Sequence, residues 1–237
     1  MASEERQRKI IKTTVSWVEV IVFVLILRAL VIQAYVIPTS SMEDTMLIGD
    51  ALLVNRYIFG VKEPFSGRLI IPGRMPKRNE IIVFKYPFEN KDFIKRCVGL
   101  EGDTIEIIDK VLYVNGKRVE EPYVVHKDPV TYQKIKIDQK EFQKLWEDVR
   151  LADYYSPYIR DNFGPVIVPK DHIFAMGDNR DFSLDSRFWG PLHKRYLRGK
   201  PLFIYFSFEF PGGTGIVDVF KIWKWKSIRL DRIGKLV

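Results

Sequence analysis

The chain has 237 residues, of which 46% are hydrophobic and 14% aromatic, so it can bury a core and is not a mainly disordered protein. Its formal net charge is +8, but the basic residues are spread out and no DNA- or RNA-binding motif accompanies them, so a nucleic-acid partner is not expected. The single cysteine, Cys97, excludes an intramolecular disulfide and a cysteine-based zinc site.

An apolar segment from Val15 to Ile32 has about the length that a helix needs to cross a bilayer. Two charges interrupt it, Glu19 and Arg28, and each lies about one turn from an end, where a side chain can reach an interface. Basic residues precede the segment, whereas residues 33–55 contain no Lys or Arg. The positive-inside rule therefore predicts a cytoplasmic N-terminus and a body on the outer side of the membrane.

We accordingly expect a basic N-terminus at residues 1–14 and a transmembrane anchor at residues 15–34, with anionic membrane lipid as the partner of this basic chain. A cleavable signal peptide and a buried globular helix are the alternatives. The length of the apolar region, its two charges and the lack of a small-x-small exit before Tyr35 disfavour cleavage.

Beyond the anchor, alternation of apolar and polar residues predicts a mainly β fold built on antiparallel strands. Two turns are expected inside the longest alternating run, at Asp109-Lys110 and at Asn115-Gly116, a pair favoured in type I′ hairpins. We assign one β domain to residues 35–119 and 169–237. The strands are expected at Ala51–Val54, Glu80–Tyr86, Thr104–Val119 and Leu202–Phe208.

Residues 120–168 are expected to form an inserted subdomain with one amphipathic helix. Asp138 followed by Glu141 resembles a capping box that begins a helix. One apolar face follows at helical spacing, formed by Phe142, Leu145, Trp146 and Val149.

The first candidate for chemistry is Ser41. Pro38 favours an extended entry, so that Thr39 and Ser41 project to one side. In that arrangement the Thr39 hydroxyl and the Ser41 amide can donate to a developing oxyanion while Ser41 Oγ acts as nucleophile. A solvated turn or a capped helix start is the alternative interpretation of this short run.

A serine needs a base, and Lys95 is the candidate. In an extended strand, Phe93, Lys95 and Cys97 share one face, so the lysine has apolar neighbours. Burial there disfavours the ammonium form and lowers the pKa from its reference value of about 10.4. The alternative is a lysine at the edge of a strand that extends to water.

Residues 177–187 form a run dense in turn formers and charges. Calcium binding is one interpretation, but the spacing and terminal glutamate of an EF-hand are absent from the sequence. We favour an ion-pair loop in which Asp185 and Arg187 pair and Ser183 directs its hydroxyl toward the lysine.

In their order and residues, these segments resemble bacterial type I signal peptidases. The resemblance covers the anchor, the segment from Pro38 to Met42, the Lys95-Arg96-Cys97-Val98-Gly99 strand and the run at 177–187. It covers most of the chain up to Gly190, but residues 120–168 match no signature.

The resemblance implies a signal-peptidase β fold and a membrane-anchored serine endopeptidase that removes signal peptides from exported preproteins after small-x-small sites such as Ala-x-Ala. Preprotein signal peptides are the implied partners, and the outer face of the bacterial inner membrane is the implied location. No cofactor and no metal are expected. The roles that it implies are nucleophile for Ser41, general base for Lys95, oxyanion hole for Thr39 and the Ser41 amide, hydrogen bonding to the lysine for Ser183, loop support for Asp185 and Arg187, and substrate-pocket walls for Ile37, Met42 and Phe93.

The sequence departs from the family pattern at Asp44, where proline is usual, at Asn79-Glu80 and at Glu101. Asp44 matters most, because a carboxylate near Lys95 would favour the ammonium form. We therefore hypothesise that it points away. The tail from Phe220 to Val237, with Trp223 and Trp225, is interpreted equally well as a lipid-binding segment and as a final amphipathic strand.

Three other functions are compatible with parts of the pattern. A LexA-like self-cleaving protein also uses serine and lysine, but it needs a DNA-binding domain where this chain has an apolar segment. A hydrolase triad lacks a Gly-x-Ser-x-Gly motif, and His126, His172 and His193 stand in no nucleophile context. A non-catalytic, membrane-tethered binding module would not require Lys95 to lie near Ser41.

Overall fold

The structure, a computed structural model, describes residues 10–22, 32–62, 69–209 and 227–237. Within these ranges the fold is mainly antiparallel β, which confirms the predicted class. The strands are β1 Ile32–Val36, β2 Asp50–Asn55, β3 Gly60–Lys62, β4 Leu69–Pro72, β5 Ile81–Lys85, β6 Asp92–Gly99, β7 Thr104–Ile108, β8 Val111–Val114, β9 Lys117–Arg118, β10 Phe163–Ile167, β11 His172–Met176, β12 Leu192–His193 and β13 Leu197–Ser207. The helices are α1 at residues 10–22, α2 Gln139–Glu147, α3 Leu151–Tyr155 and α4 Ser186–Trp189.

The main sheet has seven strands in the order β1-β2-β13-β5-β6-β11-β12. Strand β13, close to the end of the chain, lies between β2 and β5, so segments distant in sequence are joined in one sheet. Strand β6, which contains Lys95, is flanked by β5 and β11, whereas β1 lies at an edge. A position inside the sheet therefore surrounds the lysine with backbone and apolar side chains.

A smaller sheet has the order β10-β7-β8-β9 and contains the two turns that the sequence predicts. Asn115 and Gly116 have φ of 53° and 74°, as a type I′ turn requires, and they join β8 to β9. Asp109 and Lys110, also at positive φ, join β7 to β8. Strand β10 then pairs with β7 from outside the predicted β domain.

Helix α2 begins where the cap predicts, because the Asp138 carboxylate accepts hydrogen bonds from the amides of Lys140 and Glu141. Its side chains Phe142 and Trp146 are buried in one cluster with residues of β7, β8 and β10. Residues 120–168 thus share a core with the small sheet.

The predicted anchor at residues 15–34 lies only partly in the described ranges. Residues 15–22 belong to α1 and residues 32–34 to β1, and the residues between them lie outside the description. No helix in the described ranges is both long and apolar enough to cross a membrane. The tail residues Trp223 and Trp225 also lie outside the description.

Candidate active site

Ser41 lies on a turn that follows the edge strand β1. The turn is closed by hydrogen bonds from the Glu43 amide to the Ser40 carbonyl and from the Met46 amide to the Met42 carbonyl, at 3.0 and 2.7 Å. Met42 and Met46 are fully buried in a core cluster and hold this turn against the sheet. Ser41 itself is half-buried, so this residue lies close to the surface on a turn that the core holds in place.

Lys95 lies opposite Ile82 of β5 and is only 4% exposed. Its Nζ donates a hydrogen bond to Ser41 Oγ at 2.6 Å and lies 5.5 Å from the centre of the Phe93 ring. Strand alternation therefore places Lys95 beside Phe93, and the fold brings it to the serine. The two candidate residues, 54 positions apart in the sequence, are in direct contact.

Burial lowers the pKa of Lys95 to about 8, against the opposing effects of the Asp185 and Asp178 carboxylates, while Arg187 lowers it further. A pKa near 8 leaves about one lysine in ten neutral at pH 7. A neutral amine with this basicity can act as a general base near neutral pH.

Thr39 is exposed, and its Oγ1 lies 3.5 Å from Ser41 Oγ. The two hydroxyls therefore point into one region of space, as an oxyanion site next to a nucleophile requires.

The run at residues 177–187, which we call the acidic loop, places two buried ion pairs around the lysine. Asp185 and Arg187 form two hydrogen bonds of 2.8 Å, and both side chains are almost completely inaccessible. Although burial opposes ionisation of Asp185, the charge and hydrogen bonds of Arg187 lower its pKa. Asp185 also accepts a hydrogen bond from the Gly177 amide, so the pair fixes both ends of the loop.

The second pair joins Asp178 to Arg96, which follows Lys95 on β6, with contacts of 2.8 and 2.6 Å. Asp178 also accepts a hydrogen bond of 2.7 Å from the Thr45 hydroxyl of the Ser41 turn. This pair is not among the sequence-based predictions. The signal was available, because an arginine beside a buried lysine on a strand points to the other face and needs an acidic partner there.

Ser183 is buried, and its Oγ makes no hydrogen bond to Lys95 or to any other group in the described residues. Gly177 separates it from the nucleophile: a Cβ on this glycine would overlap both Ser183 Oγ and the Ser41 carbonyl oxygen. The acidic loop can therefore approach the Ser41 turn only with glycine at this position.

The predicted pocket walls have different surroundings. Ile37 and Met42 are buried in the core cluster that supports the Ser41 turn. Phe93 is half-buried and stacks on Tyr86 with ring centres 4.4 Å apart. Of the three, only Phe93 has substantial accessible surface.

Asp44 is exposed and is not one of the charges that shift the pKa of Lys95. Its φ is 72°, a left-handed conformation that proline cannot adopt. Aspartate in place of the usual proline therefore suits the left-handed backbone at this position.

The three histidines contact other groups than the serine. His126 lies 3.5 Å from Asp181, His172 contacts the Lys170 carbonyl, and His193 accepts a hydrogen bond from the Arg195 amide. Across the described ranges, no group of three or more His, Cys, Asp or Glu side chains is arranged to hold a metal ion.

Comparison with known proteins gives matches over most of the chain. The family model described as "Signal peptidase, peptidase S26" matches residues 10–206. The signal peptidase I of Buchnera aphidicola subsp. Schizaphis graminum is 33% identical, with 90% of this chain and 77% of the relative covered. That of Pseudomonas aeruginosa is 35% identical, with 83% and 72% covered. A crystal structure of a signal peptidase I from Enterococcus faecalis V583 gives a TM-score of 0.39 at 28% identity, covering 54% of this chain and 97% of that one.

Proposed function

Because the chain belongs to the signal peptidase S26 family, we propose that Ser41 and Lys95 are the nucleophile and general base with which it removes signal peptides from preproteins. The observation that carries this proposal is the hydrogen bond of 2.6 Å between Lys95 Nζ and Ser41 Oγ, formed by a lysine that is 4% exposed. A binding module or a self-cleaving protein has no comparable support, since the matched relatives are signal peptidases.

In the acylation step, neutral Lys95 takes the proton of the Ser41 hydroxyl as Oγ attacks the scissile carbonyl carbon. The resulting oxyanion accepts hydrogen bonds from Thr39 Oγ1 and the Ser41 amide. The lysine ammonium then gives its proton to the leaving amine, the C–N bond breaks, and the signal peptide remains attached to Ser41 as an ester. The mature protein departs as the amine product.

In the deacylation step, Lys95 is again neutral and takes a proton from a water molecule that attacks the ester carbonyl. The proton passes to Ser41 Oγ as the ester C–O bond breaks, which regenerates the serine and releases the signal peptide as an acid. One base therefore serves both steps, and no metal or cofactor is needed.

We propose small-x-small cleavage sites, with Phe93 as the accessible apolar wall for the small side chains, while the buried Ile37 and Met42 support the Ser41 turn instead of lining the pocket. Shallow apolar pockets suffice to select small residues, since each excluded methylene changes the binding free energy by about 1–3 kcal/mol. The accessible Phe93 ring, 5.5 Å from Lys95 Nζ, supports a wall at this place.

We also propose that the apolar segment that starts at residue 15 and stops before β1 anchors the enzyme in the bacterial inner membrane, with the active site on the outer face and anionic lipid around the basic chain. The length of the apolar segment and the flanking charge asymmetry support this topology. Membrane association fits a substrate whose signal peptide is itself apolar.

The decisive experiment measures cleavage of a reporter preprotein with an Ala-x-Ala site by the detergent-solubilised full chain, Ser41→Ala and Lys95→Ala. Circular dichroism and thermal unfolding would verify that each protein is folded. We expect cleavage at that site by the wild type only. A folded wild type that does not cleave, or a Lys95→Ala variant as active as the wild type, would contradict the proposed mechanism.

A further inference from the structure

Residues 121–128, which we call the strap, cross the acidic loop and pair with its backbone. The Val125 amide donates to the Asp178 carbonyl at 2.9 Å, and the Arg180 amide donates to the Val125 carbonyl at 3.1 Å. These bonds form a parallel bridge between Val125 and Asn179. The strap belongs to the segment 120–168, to which the sequence assigns no role.

Asn179 connects the strap to the nucleophile. On the side opposite Val125, its amide donates to the Ser41 carbonyl at 3.2 Å. Its side-chain Nδ2 lies 3.2 Å from both the Ser40 carbonyl oxygen and Glu43 Oε2. Asn179 is therefore a buried residue that contacts the strap and the carbonyls of both peptide bonds that flank Ser41.

Side chains fix the strap at both of its ends. At one end, Glu121 receives two hydrogen bonds from Arg180, at 2.8 and 2.6 Å, and both side chains are nearly buried. At the other end, Asp181 accepts hydrogen bonds from the amides of Lys127 and Asp128, at 2.7 and 2.8 Å. The strap and the acidic loop are therefore held together along their length.

Tyr123, in the middle of the strap, lies over the arginine next to the proposed base. Its ring centre is 3.7 Å from Arg96 Cζ, and its hydroxyl is 3.0 Å from Asn79 Oδ1. The same guanidinium pairs with Asp178, one of the carboxylates that act on Lys95. The stacked ring thus limits the movement of the arginine that neutralises Asp178.

We propose that the strap is a positioning element of the active site, which holds Ser41 through Asn179 and holds the Arg96–Asp178 pair beside Lys95 through Tyr123. This inference rests on the proposed roles of Ser41 and Lys95. The charged groups that act on the Lys95 ammonium are Asp185, Asp178 and Arg187. If Arg96 is displaced, Asp178 loses its counter-charge and stabilises the Lys95 ammonium more strongly.

The test compares Tyr123→Leu, which removes the ring, with Tyr123→Phe, which keeps it. Tyr154→Leu is the matched control, because Tyr154 also lies over an arginine, Arg150, but is exposed on α3. We expect Tyr123→Leu to lower kcat about tenfold, with KM changed less than about twofold, since misplaced catalytic groups affect the chemical step. The acid limb of its pH profile moves to higher pH, while Tyr123→Phe and Tyr154→Leu remain near the wild type.

Hydrogen exchange of the Asn179 and Arg180 amides provides a readout that is independent of activity. We expect faster exchange in Tyr123→Leu than in Tyr123→Phe. Wild-type kcat and unchanged exchange in a folded Tyr123→Leu would overturn the inference. If that variant does not fold, Glu121→Gln takes its place with the same expected directions. A wild type that does not cleave would refute the proposed function. The exchange rates alone would then test whether the strap holds Asn179 in place.

Discussion

The two proposed catalytic residues occupy opposite structural surroundings. Ser41 is half-buried on a turn after the edge strand β1, whereas Lys95 lies inside the main sheet between β5 and β11. A nucleophile must meet a peptide that arrives from solvent, whereas burial away from water favours the neutral form of a lysine. The contrast shows why one residue lies at the surface of the fold and the other within it.

The surroundings of Lys95 also contain more buried charged side chains than the turn that carries Ser41. The Asp185–Arg187 pair is buried beside Lys95. Arg96, the residue that follows Lys95 on β6, pairs with the buried Asp178. Each pair cancels charge that would otherwise be unpaired in an apolar interior. Apart from the replacement of Ser41 itself, changes on the lysine side should therefore have larger effects than changes on the serine turn, and the following predictions test this difference in order of decreasing size.

The largest expected effect is that of Lys95→Arg. The guanidinium keeps its proton, so it cannot accept the proton of Ser41, and we expect cleavage to fall about 10⁴-fold or more. Single-turnover cleavage of the reporter preprotein measures the loss. Lys85→Arg is the matched control, because Lys85 ends the neighbouring strand β5. A Lys95→Arg variant that keeps about a tenth of the activity would show that another group is the base.

The next effect in size is that of Asp185→Asn on stability. The change leaves the Arg187 guanidinium buried without its counter-charge, and breaking such a pair costs about 3–5 kcal/mol of the free energy of unfolding. Urea denaturation measures it. Asp153→Asn is the control, since Asp153 is exposed on α3. A loss below about 1 kcal/mol would mean that Arg187 finds another partner or water.

The pH dependence of kcat/KM of the wild type tests directly whether burial lowers the pKa of Lys95. Activity requires neutral Lys95, so kcat/KM should rise with pH and level off above the pKa of about 8 in the free enzyme. Between pH 6 and pH 8 the expected increase is about fifty-fold. An acid limb near pH 10, the usual range for an exposed lysine, would contradict burial as the cause of reactivity.

Local features were predictable from the sequence. The Asn115-Gly116 turn, the Asp138 cap and the alternation that places Phe93 beside Lys95 each depend on a few adjacent residues, and all three occur in the structure. Strand β11 and the pairing of β10 with β7 were not predicted, because local periodicity does not indicate which strands distant in sequence pair with each other.

The candidate site divides in the same way. Ser41 and Lys95 were identified by motif and alternation, but the Arg96–Asp178 pair and the contacts of Tyr123 depend on three segments that meet only after folding. The burial of Met42 could not be predicted from the sequence either, because an apolar residue beside a nucleophile is compatible with a core position as well as with a substrate pocket. The sequence therefore predicts the proposed nucleophile and base better than the residues that support them.

The smallest expected effect is that of Asp44→Asn on the serine turn. If the Asp44 carboxylate acted on Lys95, it would raise the lysine pKa, and its removal would move the acid limb of the activity profile to lower pH. Asp44 is exposed at a φ of 72°, a conformation that asparagine also tolerates, so neither the fold nor the charge around Lys95 should change. We therefore expect a pH profile of kcat/KM that superimposes on that of the wild type. A clear shift of the acid limb to lower pH would mean that this carboxylate acts on the base. The pKa of Lys95 would then depend on the serine turn as well as on burial inside the sheet.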